Sequence, residues 1–151
     1  MPYKRKYEVS AGAVVIHPSG KKILLVHSIM GAGGWGFPKG HIMAEEQPLD
    51  CAIREVAEET GLQGDKLSPV GALKTVRQII RYKKSQELVT KETFFYLLMS
   101  SSDKISEHPN DGHHDRASWI SWNRLSDLRH RYKYVPVLAK EAHNLAKCEK
   151  L

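Results

Sequence analysis

Residues 40–62 of the chain read GHIMAEEQPLDCAIREVAEETGL, and the fold prediction starts from this stretch. Pro48 suits the first turn of a helix, because the backbone N–H that proline lacks needs no partner there. Gly61 suits the left-handed residue that commonly follows a helix. Between them, apolar side chains recur at helical spacing, at Leu49, Ala52, Ile53 and Val56. The stretch therefore predicts a helix over residues 48–60.

Three carboxylates lie on one side of this predicted helix, at Glu55, Glu58 and Glu59. Offsets of three and four residues place Glu58 and Glu59 within reach of Glu55, and such like charges weaken an isolated helix by a few tenths of a kcal/mol per pair. A hard divalent cation would remove that repulsion, and oxygen ligands suit magnesium, manganese or calcium. Taken alone, such a cluster is usually a solvated acidic face.

The wider pattern around the cluster is more specific. It reads Gly, five residues, Glu, seven residues, Arg-Glu, an aliphatic residue, any residue, Glu-Glu, any residue, Gly and an aliphatic residue. The matching residues are Gly40, Glu46, Arg54, Glu55, Val56, Glu58, Glu59, Gly61 and Leu62. Seven positions of the pattern are fixed, so at roughly one in fifteen per fixed position a chance match anywhere in the chain is on the order of one in a million. The pattern is the Nudix box, and the chain resembles the Nudix hydrolases.

The resemblance implies an α/β protein, an α/β/α sandwich with a mixed central sheet, with residues 1–151 forming a single domain. It implies hydrolysis of a nucleoside diphosphate linked to another group, with Mg²⁺ or Mn²⁺ as the cofactor. The metal ligands carried over from the family are Gly40, Glu55, Glu58 and Glu59. Arg54 would orient the cluster together with Glu46, and the expected catalytic residues are Glu55, Arg54 and Glu58.

Cleavage of a pyrophosphate requires neutralised phosphoryl oxygens and a nucleophile near neutral pH, and bound metal ions supply both. A positioned carboxylate adds roughly a hundred- to ten-thousand-fold as a general base. The sequence leaves three candidates for this base. They are Glu55 on the helix, and Asp111 and Asp115 in a polar stretch before Trp119.

The residues before the box, WGFPKGH at 35–41, are similar to those of diadenosine tetraphosphate hydrolases. This resemblance implies cleavage of diadenosine tetraphosphate to ATP and AMP. Substrate contacts are then expected at Lys39, Trp35, His41, Tyr82, Lys83 and Asp115. Lys39 would reach a phosphate and Tyr82 would stack on adenine, whereas packing in the core is an open alternative for Trp35.

Basic residues gather around a predicted hairpin, at Lys74, Arg77, Arg81, Lys83, Lys84 and Lys91. They either keep the hairpin solvated or form a basic wall for a long polyphosphate or an RNA 5′ end. Because FPKG followed by DCAIREV is also similar to messenger-RNA decapping enzymes, an RNA 5′-end or cap pyrophosphohydrolase is an alternative function. A diphosphoinositol polyphosphate phosphatase is another, and a non-catalytic RNA-binding Nudix module is disfavoured by the intact glutamates.

Composition narrows the class of protein further. Apolar residues make up 41% of the chain and charged residues 26%, which is typical of globular domains. The net charge of +6 favours polyanionic ligands. Cys51 and Cys148 form neither a disulfide framework nor a zinc pattern. Since no signal-peptide core and no apolar run of about 18 residues is seen, we expect a cytoplasmic protein without a membrane partner.

The remaining elements are predicted from apolar patterning and turn residues. Strands are expected at residues 8–17, 21–27, 70–82, 87–99 and 118–122, with a long loop at 101–116. A short helix is expected at 123–128, and a C-terminal helix carries the apolar stripe Val135, Leu138, Ala142 and Leu145. Strands flanked by helices, with a hairpin in the middle, predict a mixed sheet between helical layers.

Overall fold

The computed structural model describes residues 2–151 and contains a mixed sheet of eight strands. The strands are β1 (Lys4–Ile16), β2 (Lys22–Ser28), β3 (Gly34–Gly36), β4 (Lys39–His41), β5 (Leu67–Ala72), β6 (Val76–Tyr82), β7 (Glu87–Ser100) and β8 (His114–Ser121). The helices are α1 (Pro48–Thr60) and α2 (Tyr134–Cys148), with short 3₁₀ turns at Gly64–Lys66 and Trp122–Asp127. Neither α1 nor α2 is long and apolar enough to span a membrane.

The centre of the sheet is the parallel pair β1 and β7, which stays in register from Lys4 opposite Glu87 to Ile16 opposite Met99. The order β3-β2-β1-β7-β5 runs across the sheet, with β8 beside β2, β4 beside β1 and β6 beside β7. Among the pairs of strands in the described residues, only β1–β7 is parallel and the others are antiparallel. An isolated parallel bridge joins Trp35 to His130. The mixed sheet that the sequence predicts is confirmed.

The two faces of the central strands are buried under different helices. Successive side chains of a strand point to opposite faces, so Val15 packs with α1 while Val14 packs with α2. On the α1 side this core includes Cys51, Ala52, Val56 and Leu98, and on the α2 side it includes Phe95, Leu138 and Ala142. The structure is therefore the expected sandwich of helices around a sheet.

Helix α1 begins and ends at the predicted residues. Pro48 occupies the start of the helix, and Gly61 follows its last residue with a φ of 76°, in the left-handed region. The Gly61 amide donates a hydrogen bond of 2.9 Å to the carbonyl of Ala57, which satisfies one of the last helical acceptors. This end fixes the position of Glu59, two residues earlier, against the sheet.

The single strand predicted over residues 70–82 is wrong. The chain forms β5 and β6 instead, both antiparallel to β7, with a break at residues 73–75. Leu73 lies at this break, where its side chain is buried in the α2 core and its amide donates to the carbonyl of Phe95. Burying Leu73 turns the chain inwards and separates the two strands.

The loop predicted over residues 101–116 is also too long. Strand β8 already begins at His114 and pairs antiparallel with β2, where His114 lies opposite Ser28 and Arg116 opposite His27. Residues 114–116 are polar and lack the apolar pattern of a strand, but their backbone pairs with that of β2. Strand β1 also begins earlier than predicted, at Lys4. The predicted stripe of α2 packs in the core, where Leu145 is partly buried and Ala146 extends the buried stripe.

Candidate active site

A cleft with a volume of about 600 Å³ lies between α1, strand β4 and the segments that precede β8 and α2. The acidic part of its lining is Glu55, Glu58, Glu59 and Asp111. The basic part is Lys39, Arg54, Lys91 and Arg131. Carboxylates and cations therefore share one cleft, which suits a metal ion bound beside an anionic ligand.

Gly40 and Glu55 make the closest contact in this cleft. Gly40 lies on β4 opposite Ala11 of β1, and a Cβ atom built on it would lie 2.1 Å from the Cδ atom of Glu55. Only glycine leaves room for the Glu55 carboxyl at this point. Burial raises the pKa of Glu55, while its hydrogen bond with Arg54 acts in the opposite direction.

Arg54 holds three of the box carboxylates. Its Nε and Nη2 atoms donate to the two oxygens of Glu46 at 2.7 and 2.9 Å, and its Nη1 donates to Glu55 at 2.9 Å and to Glu58 at 3.2 Å. Nη2 also donates to the carbonyl of His41 at 3.0 Å. The same guanidinium lowers the pKa of Glu46 to about 2. These contacts are the orienting ones that the family resemblance implies for Arg54 and Glu46.

Glu59 is the most buried of the carboxylates in the cleft. Its side chain is only 8% exposed, and its Oε2 atom accepts a hydrogen bond of 2.8 Å from the backbone amide of Lys39. Burial away from water raises the pKa of Glu59 to about 9, and the neighbouring charge of Glu55 adds to the effect. A buried carboxyl of this kind favours a cation beside it.

Asp111 and His114 approach Glu59 from the other side of the cleft. The Nδ1 atom of His114 lies 2.7 Å from Asp111 Oδ2 and 3.6 Å from Glu59 Oε1. One atom from each of these three residues lies within 4.8 Å of the others. The sequence analysis missed His114, because three histidines occur in this stretch and the start of β8 decides which one faces the glutamates.

Two further residues that the sequence analysis missed, Arg131 and Tyr132, line the cleft. The Lys39 Nζ atom lies 5.2 Å from the centre of the Tyr132 ring, and the Arg131 guanidinium lies 4.9 Å from it. Distances of this kind are typical of cation–π contacts. The alternation of basic and aromatic residues in RHRYKY, at 129–134, was the available signal.

Of the residues predicted as substrate contacts, Lys39 and His41 line the cleft and the others lie outside its lining. Trp35 is buried in the α2 core, so the core-packing alternative applies to it. Asp115 pairs with His27 at 2.7 Å, outside the cleft lining.

Tyr82 and Lys83 also lie outside this lining, at the far end of the β6–β7 hairpin. Tyr82 pairs with Glu87, four residues before Lys91 on β7. At about 3.3 Å per residue this is roughly 13 Å along the strand. Among the basic residues around the hairpin, Lys91 is therefore the one that lies in the cleft.

The donor set of the cleft fits a divalent cation. The carboxylates of Glu55, Glu58 and Glu59 and the carbonyl of Gly40 supply hard oxygen ligands. Glu55 and Glu59 are held in positions where burial raises their pKa values, so a nearby cation would stabilise their charged forms. Glu58 is more exposed, with a side-chain exposure of 54%, and remains accessible from solvent.

The NUDIX domain model matches residues 6–140. The match spans β1 to the first half of α2 and includes every carboxylate that lines the cleft. The chain therefore belongs to the Nudix family.

Known proteins are similar in sequence to parts of this chain. It is 48% identical over 59 residues to mRNA decapping complex subunit 2 of Schizosaccharomyces pombe, and this match covers 39% of the chain and 8% of the relative. It is 39% identical over 64 residues to an RNA pyrophosphohydrolase of Thioalkalivibrio sulfidiphilus, and this match covers 42% of the chain and 35% of the relative. The chain spans at most about half the length of these and other curated relatives.

Among solved structures, an Ap4A hydrolase of Caenorhabditis elegans, crystallised as a binary complex, is similar over nearly the whole fold. The superposition covers 95% of this chain and 99% of that one, with a TM-score of 0.64 and 19% sequence identity. At this identity the likeness shows the Nudix fold.

Proposed function

We propose that this chain is a metal-dependent pyrophosphohydrolase of nucleoside polyphosphates, and that it cleaves diadenosine tetraphosphate to ATP and AMP. The observation that carries the proposal is the composition of the cleft. The Glu55 carboxyl packed on Gly40 and the buried Glu59 share it with three side chains that can bind phosphates: Lys39, Lys91 and Arg131. Anionic metal ligands beside phosphate-binding cations are what hydrolysis of a phosphoric anhydride requires.

The carboxylates have distinct roles in this proposal. Glu55, Glu58, Glu59 and the Gly40 carbonyl would hold Mg²⁺ or Mn²⁺. When bound, such an ion neutralises phosphoryl charge and makes a bound water more acidic. Arg54 keeps Glu55 and Glu58 in place through its hydrogen bonds to both.

The general base of this proposal is Glu55. Its carboxyl lines the cleft, and burial raises its pKa. Asp111 is less suited to accept a proton, because its Oδ1 atom accepts hydrogen bonds from the amides of His113 and His114 and its Oδ2 atom lies 2.7 Å from His114 Nδ1. Asp115 is bound to His27 outside the lining.

The lining of the cleft supports a polyphosphate with a base at each end as the substrate. Lys39 and Arg131 flank the Tyr132 ring, and Lys91 contributes a further cation from β7. At the rim, Met30 and Met43 are 47% and 59% exposed. Methionine side chains make favourable contacts with flat aromatic groups, so they would suit purine rings.

The test is a substrate panel with analysis of the products. It contains diadenosine tetra-, penta- and hexaphosphate, ADP-ribose and a diphosphoinositol phosphate. ATP and AMP should appear from diadenosine tetraphosphate. When the reaction is run in oxygen-18 water, one product class should carry a single labelled oxygen atom. Two ADP molecules as the main product would contradict the proposed position of attack, which requires one phosphorus in line with the activated water.

A second candidate is hydrolysis at the 5′ end of RNA. It is supported by the sequence similarity to a decapping subunit and to an RNA pyrophosphohydrolase, and by the exposed basic residues of the β6–β7 hairpin. Capped and 5′-triphosphorylated RNA test it. Rapid release of 7-methyl-GDP from capped RNA, with no hydrolysis of the dinucleotides, would replace the first proposal by the second. Retention of RNA in a chelator without any turnover would instead indicate a binding module.

A further inference from the structure

His114 adds an imidazole nitrogen to a cleft whose other ligands are oxygens. Its Nδ1 atom lies 2.7 Å from Asp111 Oδ2 and 3.6 Å from Glu59 Oε1, and the three atoms lie within 4.8 Å of one another. In an octahedral shell with bonds of about 2.1 Å, neighbouring ligand atoms are about 3 Å apart and opposite ones about 4.2 Å. The distances of 2.7 and 3.6 Å lie on either side of the spacing of neighbouring ligands, so small shifts of these side chains would bring the three atoms into the coordination shell of one ion.

Backbone amides hold both carboxylates by their other oxygens. The amide of Lys39 donates to Glu59 Oε2 at 2.8 Å, and the amides of His113 and His114 donate to Asp111 Oδ1 at 2.9 and 2.8 Å. Contacts of this kind orient metal ligands before the ion arrives. They leave Glu59 Oε1 and Asp111 Oδ2 on the side of His114.

Glu59 Oε1 is open to the cleft. No hydrogen-bond donor lies within bonding distance of it, and within residues 2–151 no fully buried side-chain oxygen lacks a partner, so Oε1 is reached by solvent. His114 is its nearest ionic neighbour at 3.6 Å, which is too far for a hydrogen bond. A cation that enters the cleft can therefore bind Oε1 and, beside it, Nδ1 of His114.

We propose that Glu59, Asp111 and His114 bind a first-row transition-metal ion, with His114 bound through Nδ1. Carboxylate oxygens accept Mg²⁺, but imidazole favours transition ions, whose affinity rises from Mn²⁺ to Co²⁺. The imidazole then carries its proton on Nε2, and the ion replaces the hydrogen bond to Asp111. The inference rests on the proposed metal-dependent function and adds to it the class of ion and two ligands, Asp111 and His114.

The decisive experiment measures the nitrogen ligand directly. Mn²⁺ is added to the full chain, and electron spin-echo spectroscopy records the nuclear coupling of nitrogen atoms bound to the ion. We expect a ¹⁴N coupling in the unmutated protein, its replacement by a ¹⁵N pattern when histidine is labelled, and its loss in His114→Ala. His113→Ala is the matched control, since it removes the adjacent imidazole, and it should retain the coupling.

Calorimetry with Co²⁺ and Mg²⁺ tests the selectivity. Loss of the imidazole in His114→Ala should weaken Co²⁺ binding at least tenfold and change Mg²⁺ binding less than threefold. Equal loss for both ions would mean that His114 acts only by positioning the carboxylates, and would overturn its assignment as a ligand. Circular dichroism of the variant checks its fold, and the histidine labelling gives the answer in the unmutated protein if the variant does not fold.

The outcomes separate this inference from the proposed function. Absence of Mn²⁺ binding, or bound Mn²⁺ without a histidine coupling, would overturn the inference even if Mg²⁺ supports hydrolysis. A coupling that survives in His114→Ala would also overturn it. A histidine coupling in a protein that hydrolyses none of the substrates would support the metal site while the proposed function fails.

Discussion

Gly40 on β4 and Glu55 on α1 are packed so closely that the carboxyl of Glu55 occupies the place of a side chain on Gly40. A β-carbon there would lie 2.1 Å from Glu55 Cδ and 2.4 Å from its Oε2 atom. This contact fixes the distance between the strand and the helix at the cleft. It also brings the Gly40 backbone against the Glu55 carboxyl, which we propose as a metal ligand.

Gly40→Ala is therefore expected to damage the site by displacing Glu55. Contacts under 3 Å force an atomic shift, so we expect activity on diadenosine tetraphosphate to fall by about a hundredfold, comparable to other losses of positioned catalytic groups. Steady-state kinetics and a thermal melt measure the effect. Gly36→Ala is the control, because a β-carbon there meets only Arg131 Cβ at an ordinary 3.6 Å. Equal activities of the two variants would contradict the role of this contact.

Glu59→Gln is expected to remove most of the activity while the fold survives. The amide keeps the shape and the hydrogen bond from Lys39, but it loses the negative charge proposed to bind metal. Turnover at saturating magnesium and a circular dichroism spectrum test this. Asp50→Asn changes an exposed carboxylate on the same helix and should behave like the parent. Activity of Glu59→Gln within threefold of the parent would refute the ligand assignment.

Replacing both Lys83 and Lys84 by Ser should affect RNA more than a dinucleotide. The two lysines are exposed and lie outside the cleft, so only a long substrate would reach them. We expect a several-fold higher KM for capped RNA at low salt, with a smaller difference as salt rises, because exposed charges are screened beyond about 10 Å at 0.1 M.

For the same double variant, the KM for diadenosine tetraphosphate should change less than twofold. A large rise in the KM for diadenosine tetraphosphate would instead mean that these lysines contact the polyphosphate. No change for either substrate at low salt would mean that they only keep the hairpin solvated.

The ion pair of Glu46 with Arg54 predicts a pH-dependent contribution to stability. The pKa of Glu46 is lowered from 4.5 to about 2, mainly by its hydrogen bond from Arg54. A lowered pKa stabilises the fold above the unfolded value of 4.5, and this stabilisation is lost as the pH falls towards 2. The melting temperature of Glu46→Gln should thus lie below that of the parent at pH 7, with a difference that shrinks below pH 4.5.

Thermal melts from pH 7 to pH 3 measure this difference. The neighbouring Glu45→Gln serves as the control, since Glu45 is exposed and has no ion pair among those that the structure shows. A difference between Glu46→Gln and the parent that stays constant over this range would show that the carboxylate charge of Glu46 is not what stabilises the fold.

The sequence by itself determined the helix of the box and the carboxylates on it. Pro48, the apolar spacing and Gly61 act within one helix, so local rules predicted α1 to the residue and placed Glu55, Glu58 and Glu59 on one side of it. The apolar and β-branched residues of β1 and β7 likewise predicted strands. These features depend on contacts close in the chain.

The tertiary structure alone decided which distant residues join the carboxylates. The register of β8 on β2 brings His114 and Asp111 to Glu59, and the segment before α2 brings the Tyr132 ring beside Lys39. The same packing places four residues that were predicted as substrate contacts outside the cleft lining: Trp35, Tyr82, Lys83 and Asp115. Strand pairing depends on partners that are far away in the sequence. A shift of one residue in the register of a strand moves its side chains to the opposite face of the sheet. Spacing along the chain carries no information of that kind.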